Sequence, residues 1–260
     1  MTGPVFALAL RLRLRPTASV IVGLVAVLIF VGALFPAVGD SFGKLDLPKG
    51  VSDLLGGADY GTITGWYRSE IASLYGPLLV SLVAITGAVS STAGEEESGI
   101  LALVLAHPIR RSRFVLAKAS AVAVAVLGVA LAAWIGLIAG VALAGGGISL
   151  AHLGAYALHL AFFGLAVGAV ALALGAATGR PGTASGVAAA VALGGWLING
   201  FAPLVHSIDW LKYLSPFYYY AGNDPLTHGV DIGHLAVLGL VTLVLTAVAA
   251  ATIERRDIRA

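Results

Sequence analysis

The sequence has no cysteine and little charge. Without cysteine the chain can form no disulfide, present no thiolate nucleophile and offer no cysteine ligand to a metal. Charged residues make up 11% of the 260 residues, whereas soluble domains carry about 25%. Hydrophobic residues make up 59%, and the mean hydropathy is +0.97. These values exclude an ordinary soluble domain and indicate a polytopic membrane protein.

The sequence also lacks the motifs that would give the chain chemistry of its own. Its long apolar segments contain almost no Asp, Glu, Lys or Arg, which argues against a proton-coupled carrier. There is no H-E-x-x-H motif for an intramembrane metalloprotease. The nearest approach to a P-loop, GDSFGKL at 39–45, is one residue short between its glycines and lacks Ser or Thr after Lys44. We therefore predict that the chain is not an enzyme.

Histidines are the remaining candidates for a metal site. His152 and His159 are seven residues apart and share a helix face, but no acid or third ligand accompanies them. We predict no metal site. A membrane-embedded enzyme that uses these two residues with His206 and His228 is the least favoured alternative.

Six apolar runs are long enough to cross a bilayer, which takes about 20 helical residues. The runs are continuous and lack the alternation of barrel strands, so they predict helices. We predict an all-α polytopic integral membrane protein in which residues 1–260 form a single transmembrane domain. The predicted spans are residues 17–38, 73–92, 114–144, 153–178, 183–205 and 232–252.

The basic residues predict the orientation of these spans. With six spans, 11 of the 15 Lys and Arg residues fall on one side of the membrane. They are Arg11, Arg13, Arg15, Arg110, Arg111, Arg113, Lys118, Arg180, Arg255, Arg256 and Arg259. The other side has only Lys44, Lys49, Arg68 and Lys212. We expect a multi-pass protein of the plasma membrane with both termini in the cytoplasm.

The N-terminal stretch FALALRLRLRP alternates Leu and Arg ahead of Pro16. We expect an interfacial helix whose arginines reach lipid phosphates. A basic topology signal with no further role is the alternative.

Small residues recur at helix-packing intervals. The G-x-x-x-G pairs allow close approach of helix backbones and together predict a compact bundle. They are Gly136 with Gly140, Gly164 with Gly168, Gly175 with Gly179, and Gly182 with Gly186. Residues 206–231 are rich in Trp, Tyr and Phe, which is typical of an aromatic belt at the membrane surface. A substrate gate in that segment is a second interpretation.

The densest charge lies in one connection, GEEESGILALVLAHPIRRSRFVLAK at 94–118. Three glutamates precede apolar residues at helical spacing, and Pro108 and three arginines follow. The pattern predicts a short amphipathic helix with acids at its start and bases after its end. A solvated loop would need no apolar face, and a helix lying on anionic lipid would carry Lys and Arg in place of glutamates. We therefore expect this helix to bind a protein partner.

At these residues the sequence resembles the permease subunits of type-2 ABC transporters. The resemblance lies in the order of four features: E-x-G-x-L, which begins with an acidic residue, then a second leucine, then P-x-x-R, and then a lysine. The matching residues are Glu97, Gly99, Leu101, Leu105, Pro108, Arg111 and Lys118. Ile100 stands where the family commonly has threonine, and Ala117 where it has glycine. LSPFYYYAGNDPL at 214–226 and ERRDI at 254–258 extend the resemblance along the chain.

The resemblance implies that the loop 94–113 is a cytoplasmic coupling helix docking on a separate ABC ATP-binding subunit. Glu95 and Glu96 would then join the seven matching residues in the docking site. ATP and Mg would be bound by that partner and not by this chain. Two permease copies, in a homodimer or heterodimer, would surround the transport pathway. The second and fifth spans would line it, with Tyr75, Ser81, Thr86, Ser185, Trp196 and Asn199 as candidates.

The predicted function is therefore that of an ATP-driven permease, most simply an exporter, with the lipid bilayer and no nucleic acid among its partners. A non-transporting membrane anchor or assembly protein that recruits a cytoplasmic partner through the same loop is the alternative. An amphiphile or hydrophobic drug suits the apolar spans better than an ion does.

Overall fold

The computed structural model describes residues 3–42, 61–101 and 110–256. Within them the chain is helical and contains no strand. The helices are α1 (Gly3–Phe42), α2 (Ile63–Tyr67), a π-helix (Arg68–Tyr75), α3 (Gly76–Ser90), α4 (Ala93–Glu97), α5 (Arg111–Leu143), α6 (Leu150–Thr178), α7 (Pro181–Phe201), two 3-10 segments (Ala202–Leu204 and His206–Leu214), α8 (Pro216–Ala221), α9 (Pro225–His228) and α10 (Ile232–Arg255).

Six helical stretches are long and apolar enough to cross a membrane: Gly3–Gly39, Ile63–Glu97, Arg111–Leu143, Leu150–Thr178, Pro181–Leu204 and Ile232–Arg255. Each overlaps one predicted span. The prediction of an all-α polytopic membrane protein with six spans is confirmed. That residues 1–260 form one domain stays a prediction.

The first helix differs from the expectation in one respect. Residues 3–15 are helical but continue through Pro16 into the span without a break. They do not form a separate interfacial helix. Arg11 and Arg15 are exposed, whereas Arg13 is buried against α3. Arg11 and Arg15 therefore point away from the bundle, whereas Arg13 is held against α3.

The second span begins at Ile63, ten residues before the predicted start. Its polar residues lower the hydropathy, but the segment packs against α1 and α1 carbonyls satisfy its donors. The Trp66 indole donates to the Val31 carbonyl at 2.9 Å, and the Tyr67 hydroxyl donates to the Leu28 carbonyl at 2.9 Å. Burial with satisfied hydrogen bonds makes the segment helical where hydropathy alone predicts a loop.

Helix α6 lies at the centre of the bundle and packs against α3, α5, α7 and α10. Several of its large side chains, among them Tyr156, Leu160 and Phe163, are fully buried. The outer faces of α1, α7 and α10 carry exposed apolar side chains, as a bundle surrounded by lipid requires. The described part of the chain is thus a packed core with an apolar perimeter.

Glycines place the backbones of α1 and α5 in contact. A methyl group at Gly140 would overlap the Leu28 carbonyl oxygen and the Tyr67 hydroxyl, and one at Gly136 would lie 2.8 Å from Leu28 Cδ1. Gly164 and Gly168 similarly allow α3 to pack closely, since a methyl group at either position would contact Val80 or Ala84. A methyl group at Gly175 would overlap Thr92. Gly182 and Gly186 have no atom within 4 Å of such a methyl group. Three of the four glycine pairs therefore serve packing inside the chain, and the fourth is on an open face.

We expect Gly140→Ala to lower the free energy of unfolding by about 2 kcal/mol, because the added methyl group meets backbone that cannot turn away. Gly128→Ala is the matched control on the same helix, since its methyl group would meet only Ile21 Cδ1 at 3.9 Å. Thermal unfolding of the two variants in detergent measures the difference. Equal unfolding temperatures for both variants would contradict the close α1–α5 crossing.

Candidate partner-docking site

The predicted docking loop leaves the bundle at the end of α3. Glu95, Glu96 and Glu97 lie in the five-residue helix α4, which ends at a turn over Ser98 and Gly99. Gly99 has φ +73°, a left-handed conformation that favours glycine. The expectation of a single helix beginning with the glutamates is therefore wrong, because this turn separates them from the apolar residues that follow. Leu105 and Pro108 lie outside the described residues.

Glu95 is turned toward the bundle. Its Oε1 atom accepts a hydrogen bond from Lys118 Nζ on α5 in an ion pair. Lys118 is 3% exposed, and its ammonium lies 5.2 Å from the centre of the Phe114 ring. The pairing gives a reason for a lysine inside an apolar helix, since a buried ammonium needs a counter-charge.

Glu96 is turned inward as well. It is 6% exposed and pairs with Arg256, which follows α10. The Arg111 guanidinium donates to the Arg256 carbonyl at 2.8 Å and so joins α5 to the same cluster. Gly179 lies beside it with φ +61°, and a methyl group there would be 2.6 Å from Glu96 Oε2. Any side chain larger than hydrogen at position 179 would therefore overlap the Glu96 carboxylate.

The residues after Glu96 are directed outward. Glu97, Ser98, Gly99 and Ile100 are exposed, and we call these four residues the docking surface. Ile100 is 48% exposed, whereas Leu101 is buried. The structure thus divides the acidic cluster, because two glutamates hold the loop on the bundle and only Glu97 is presented with an apolar neighbour. Their part in partner docking stays a prediction.

The ion pairs that join α4 to Lys118 and Arg256 were not predicted from the sequence. Arg256 is 160 positions from Glu96, and no periodicity relates residues at that separation. The clustering of basic residues on one side of the predicted topology was the only sequence signal that placed them together.

We call the end of the bundle that carries α4 and its ion pairs the charged end, and the opposite end, which carries residues 206–231, the aromatic end. The aromatic end contains a cavity of about 410 Å³. Trp196 and Asn199 of α7 line the cavity with Tyr156 and Tyr220. The Tyr220 hydroxyl donates to the Ala72 carbonyl at 2.8 Å, and burial raises the pKa of Tyr220 well above its ordinary value. Its hydroxyl therefore keeps its proton and fastens α8 to the π-helix.

The six pathway candidates do not converge on one cavity. Only Trp196 and Asn199 lie in the cavity at the aromatic end. Thr86 lines a separate cavity at the charged end, and Ser81 is buried in the core. Tyr75 is 38% exposed, and Ser185 hydrogen-bonds to its own helix at Pro181. A pathway lined by all six would need surfaces beyond the described part of this chain.

His159 is buried in α6 and joins it to the aromatic segment. Its Nε2 atom accepts from the Asp231 backbone amide at 3.2 Å, so the proton lies on Nδ1, which donates to the Tyr219 carbonyl at 3.3 Å. A hydrogen bond from the His234 backbone amide lowers the pKa of Asp231, the residue that caps α10. Within the residues described, no group of three or more His, Asp or Glu side chains is placed to hold a metal ion.

The six-span helical fold is that of a multi-pass membrane protein, and comparison with known families supports a permease subunit of an ABC-type transporter. Residues 2–253 match the family described as multidrug efflux system permease Rv1217c, C-terminal domain, and the chain belongs to that family. No curated protein matches the chain at a significant level. The chain is therefore a multi-pass membrane protein of a multidrug efflux permease family, and the permease resemblance that residues 94–118 suggested is confirmed.

We expect Arg256→Ala to lower the free energy of unfolding by about 3 kcal/mol, because it removes the ion pair that Arg256 makes with the buried Glu96 carboxylate. Adding Glu96→Gln should restore part of the loss, since the remaining group is then neutral. Glu97→Ala is the matched control, because Glu97 is exposed, and it should stay within about 0.5 kcal/mol of the parent protein. Thermal unfolding in detergent measures all three, and equal effects of Arg256→Ala and Glu97→Ala would contradict the buried pair.

Proposed function

We propose that the chain is the membrane-spanning permease subunit of an ATP-driven exporter of drugs. In this proposal it docks a separate ABC ATP-binding subunit through the loop 94–113, and that partner binds ATP and Mg. The observation that carries the proposal is the match of residues 2–253 to a multidrug efflux permease family, with an exposed docking surface at the charged end of the bundle.

The ion pairs behind the docking surface support a mechanical role for the loop. Glu95 is paired with α5, and Glu96 is paired with the residue that follows α10. A displacement of Glu97 and Gly99 by a partner would therefore move α4 together with both helices. Closure of two ATP-binding subunits would reach the spans through these contacts.

The charge distribution supports the proposed orientation. Arg13, Lys118 and Arg256 all lie at the end of the bundle that carries the glutamates. At the other end, Arg68 pairs with Asp224. An excess of positive charge marks the cytoplasmic side. We therefore place both termini in the cytoplasm and the aromatic end outside the plasma membrane.

A second permease copy fits the open face of α7. Gly182 and Gly186 have free space around them, and Leu193 and Leu197 are exposed apolar residues on the same helix face. Small and apolar residues on one face suit close packing of a helix from another copy. The proposal leaves both a homodimer and a heterodimer open.

The docking surface is tested by Glu97→Lys and Gly99→Trp. We expect each to reduce co-purification of the ATP-binding subunit from native membranes by about tenfold or more, since each places an unfavourable charge or bulk in the contact. ATP-driven drug transport into inverted vesicles should fall with it, while the unfolding temperature should change little for Glu97→Lys.

Glu254→Lys is the matched control, because Glu254 is an exposed carboxylate at the same end of the bundle but outside the loop. The Glu254→Lys variant should co-purify with the ATP-binding subunit as well as the parent protein does. Unchanged ATP-driven transport in both loop variants would overturn the docking proposal. A folded chain that never co-purifies with an ATPase would instead favour the anchor interpretation.

The cavity at the aromatic end is tested by Trp196→Ala. We expect it to change the ratio of transport rates between a large aromatic drug and a small one by about tenfold, which corresponds to the loss of one aromatic contact. Trp134→Ala is the matched control, since Trp134 is also partly buried but does not line the cavity. If both variants alter the ratio equally, the cavity is not on the drug pathway.

A further inference from the structure

A cavity of about 620 Å³ lies on the flank of the bundle between α1 and α3, at the charged end. The transport mechanism proposed above assigns this cavity no ligand, although Ser98 and Ile100 of the docking surface lie on its edge. Its walls are partly apolar, with Leu12, Leu82 and Ile100 at 66%, 49% and 48% exposure. Charged groups from α1, α4 and α5 also line it, which is unusual for a cavity on the perimeter of a membrane protein.

Arg13 contributes a positive charge that is only partly satisfied. The residue is 9% exposed, and its Nη2 atom donates to the Gly87 carbonyl on α3 and to Oγ of Ser91, the residue after α3. Its Nη1 atom is buried and has no hydrogen-bond partner among the described residues. A buried guanidinium N–H without an acceptor is costly, so an acceptor supplied by a ligand would bind favourably there.

Glu95 contributes a hydrogen-bond acceptor without a donor. Its Oε1 atom is paired with Lys118, while its Oε2 atom is buried and lacks a donor in the described structure. Arg13, Lys118 and Glu95 together leave one positive charge in excess at this cavity. A fitting ligand therefore carries an anionic acceptor for Arg13, a hydrogen-bond donor for Glu95, and an apolar part for the remaining walls.

We propose that this cavity binds the headgroup of a phospholipid, with the phosphodiester at Arg13 and a terminal ammonium or hydroxyl donor at Glu95. Phosphatidylethanolamine and phosphatidylglycerol meet these requirements. Phosphatidylcholine does not, because its trimethylammonium group has no hydrogen to donate. Free phosphate would satisfy Arg13 but would leave the apolar walls uncovered, so the apolar lining favours the lipid.

The site joins three elements that the partner-docking mechanism would move. A headgroup held between Arg13 and Glu95 would connect α1 to α4 and, through Lys118, to α5. Lipid bound there would stabilise one arrangement of the docking loop relative to the bundle. The test of this site is independent of the proposed transport function, since lipid binding can be measured without the ATP-binding subunit.

The experiment is native mass spectrometry of the full chain in detergent with equimolar phosphatidylethanolamine, phosphatidylglycerol and phosphatidylcholine. We expect one molecule of either of the first two lipids to be retained over phosphatidylcholine by about tenfold, as for loss of one charge-assisted hydrogen bond. Arg13→Gln should abolish this preference. Arg11→Gln, the matched control on an exposed arginine of the same helix, should keep it.

A second variant guards against misfolding of Arg13→Gln. Ser90→Trp puts a large side chain into the cavity from an exposed position and leaves both charged groups in place, so it should expel the lipid. Equal retention of phosphatidylcholine, or loss of the preference in Arg11→Gln, would overturn the proposal. Retention in Ser90→Trp would also overturn it. Displacement of the lipid by 10 mM inorganic phosphate (about ten thousand-fold over a micromolar lipid) would assign the site to free phosphate instead.

Discussion

Pairing of charges within an apolar bundle is the constraint on which this structure depends. Lys118 and Glu96 are nearly fully buried, and neither could remain charged there without its partner. Lys118 is satisfied by Glu95, and Glu96 by Arg256. These pairs fix α4 against α5 and the end of α10, so the short acidic helix is part of the bundle and not a free loop.

The same constraint governs the polar backbone and side-chain groups in the rest of the bundle. The hydroxyls of Tyr67 and Tyr220 donate to carbonyls of neighbouring segments, and His159 joins two backbone groups. The Tyr67 bond is available because α1 and α5 approach closely at Gly140, where a methyl group would overlap both the Tyr67 hydroxyl and the Leu28 carbonyl oxygen. Close packing and hydrogen bonding therefore stabilise each other in this protein.

The two ends of the bundle differ in chemistry, and the difference suits a transporter. One end has paired charges, an exposed docking surface and a partly charged cavity beside α1. The other has aromatic side chains around a cavity that α7 borders. One continuous helix, α5, reaches from the ion pair at Lys118 to the close crossing at Gly140 and so links the charged end to the part of the bundle nearer the aromatic end. The proposed transport mechanism would use this connection.

The sequence by itself determined the class of fold and the family. Six continuous apolar runs can only be helices in lipid, since each must satisfy its own backbone hydrogen bonds. The E-x-G-x-L and P-x-x-R pattern led to the permease resemblance that the family match bears out. Local chemistry was enough for both, because hydropathy and short motifs are properties of neighbouring residues.

Tertiary structure decided what the charged residues do. Glu95, Glu96 and Glu97 are adjacent and chemically alike, yet two are paired inside and one is exposed. Arg13 resembles Arg11 and Arg15 in sequence but is buried against α3. The ten additional residues of the second span are helical because α1 satisfies Trp66 and Tyr67. Such outcomes depend on partners far away in the chain, and only the packing of the helices brings those partners within reach.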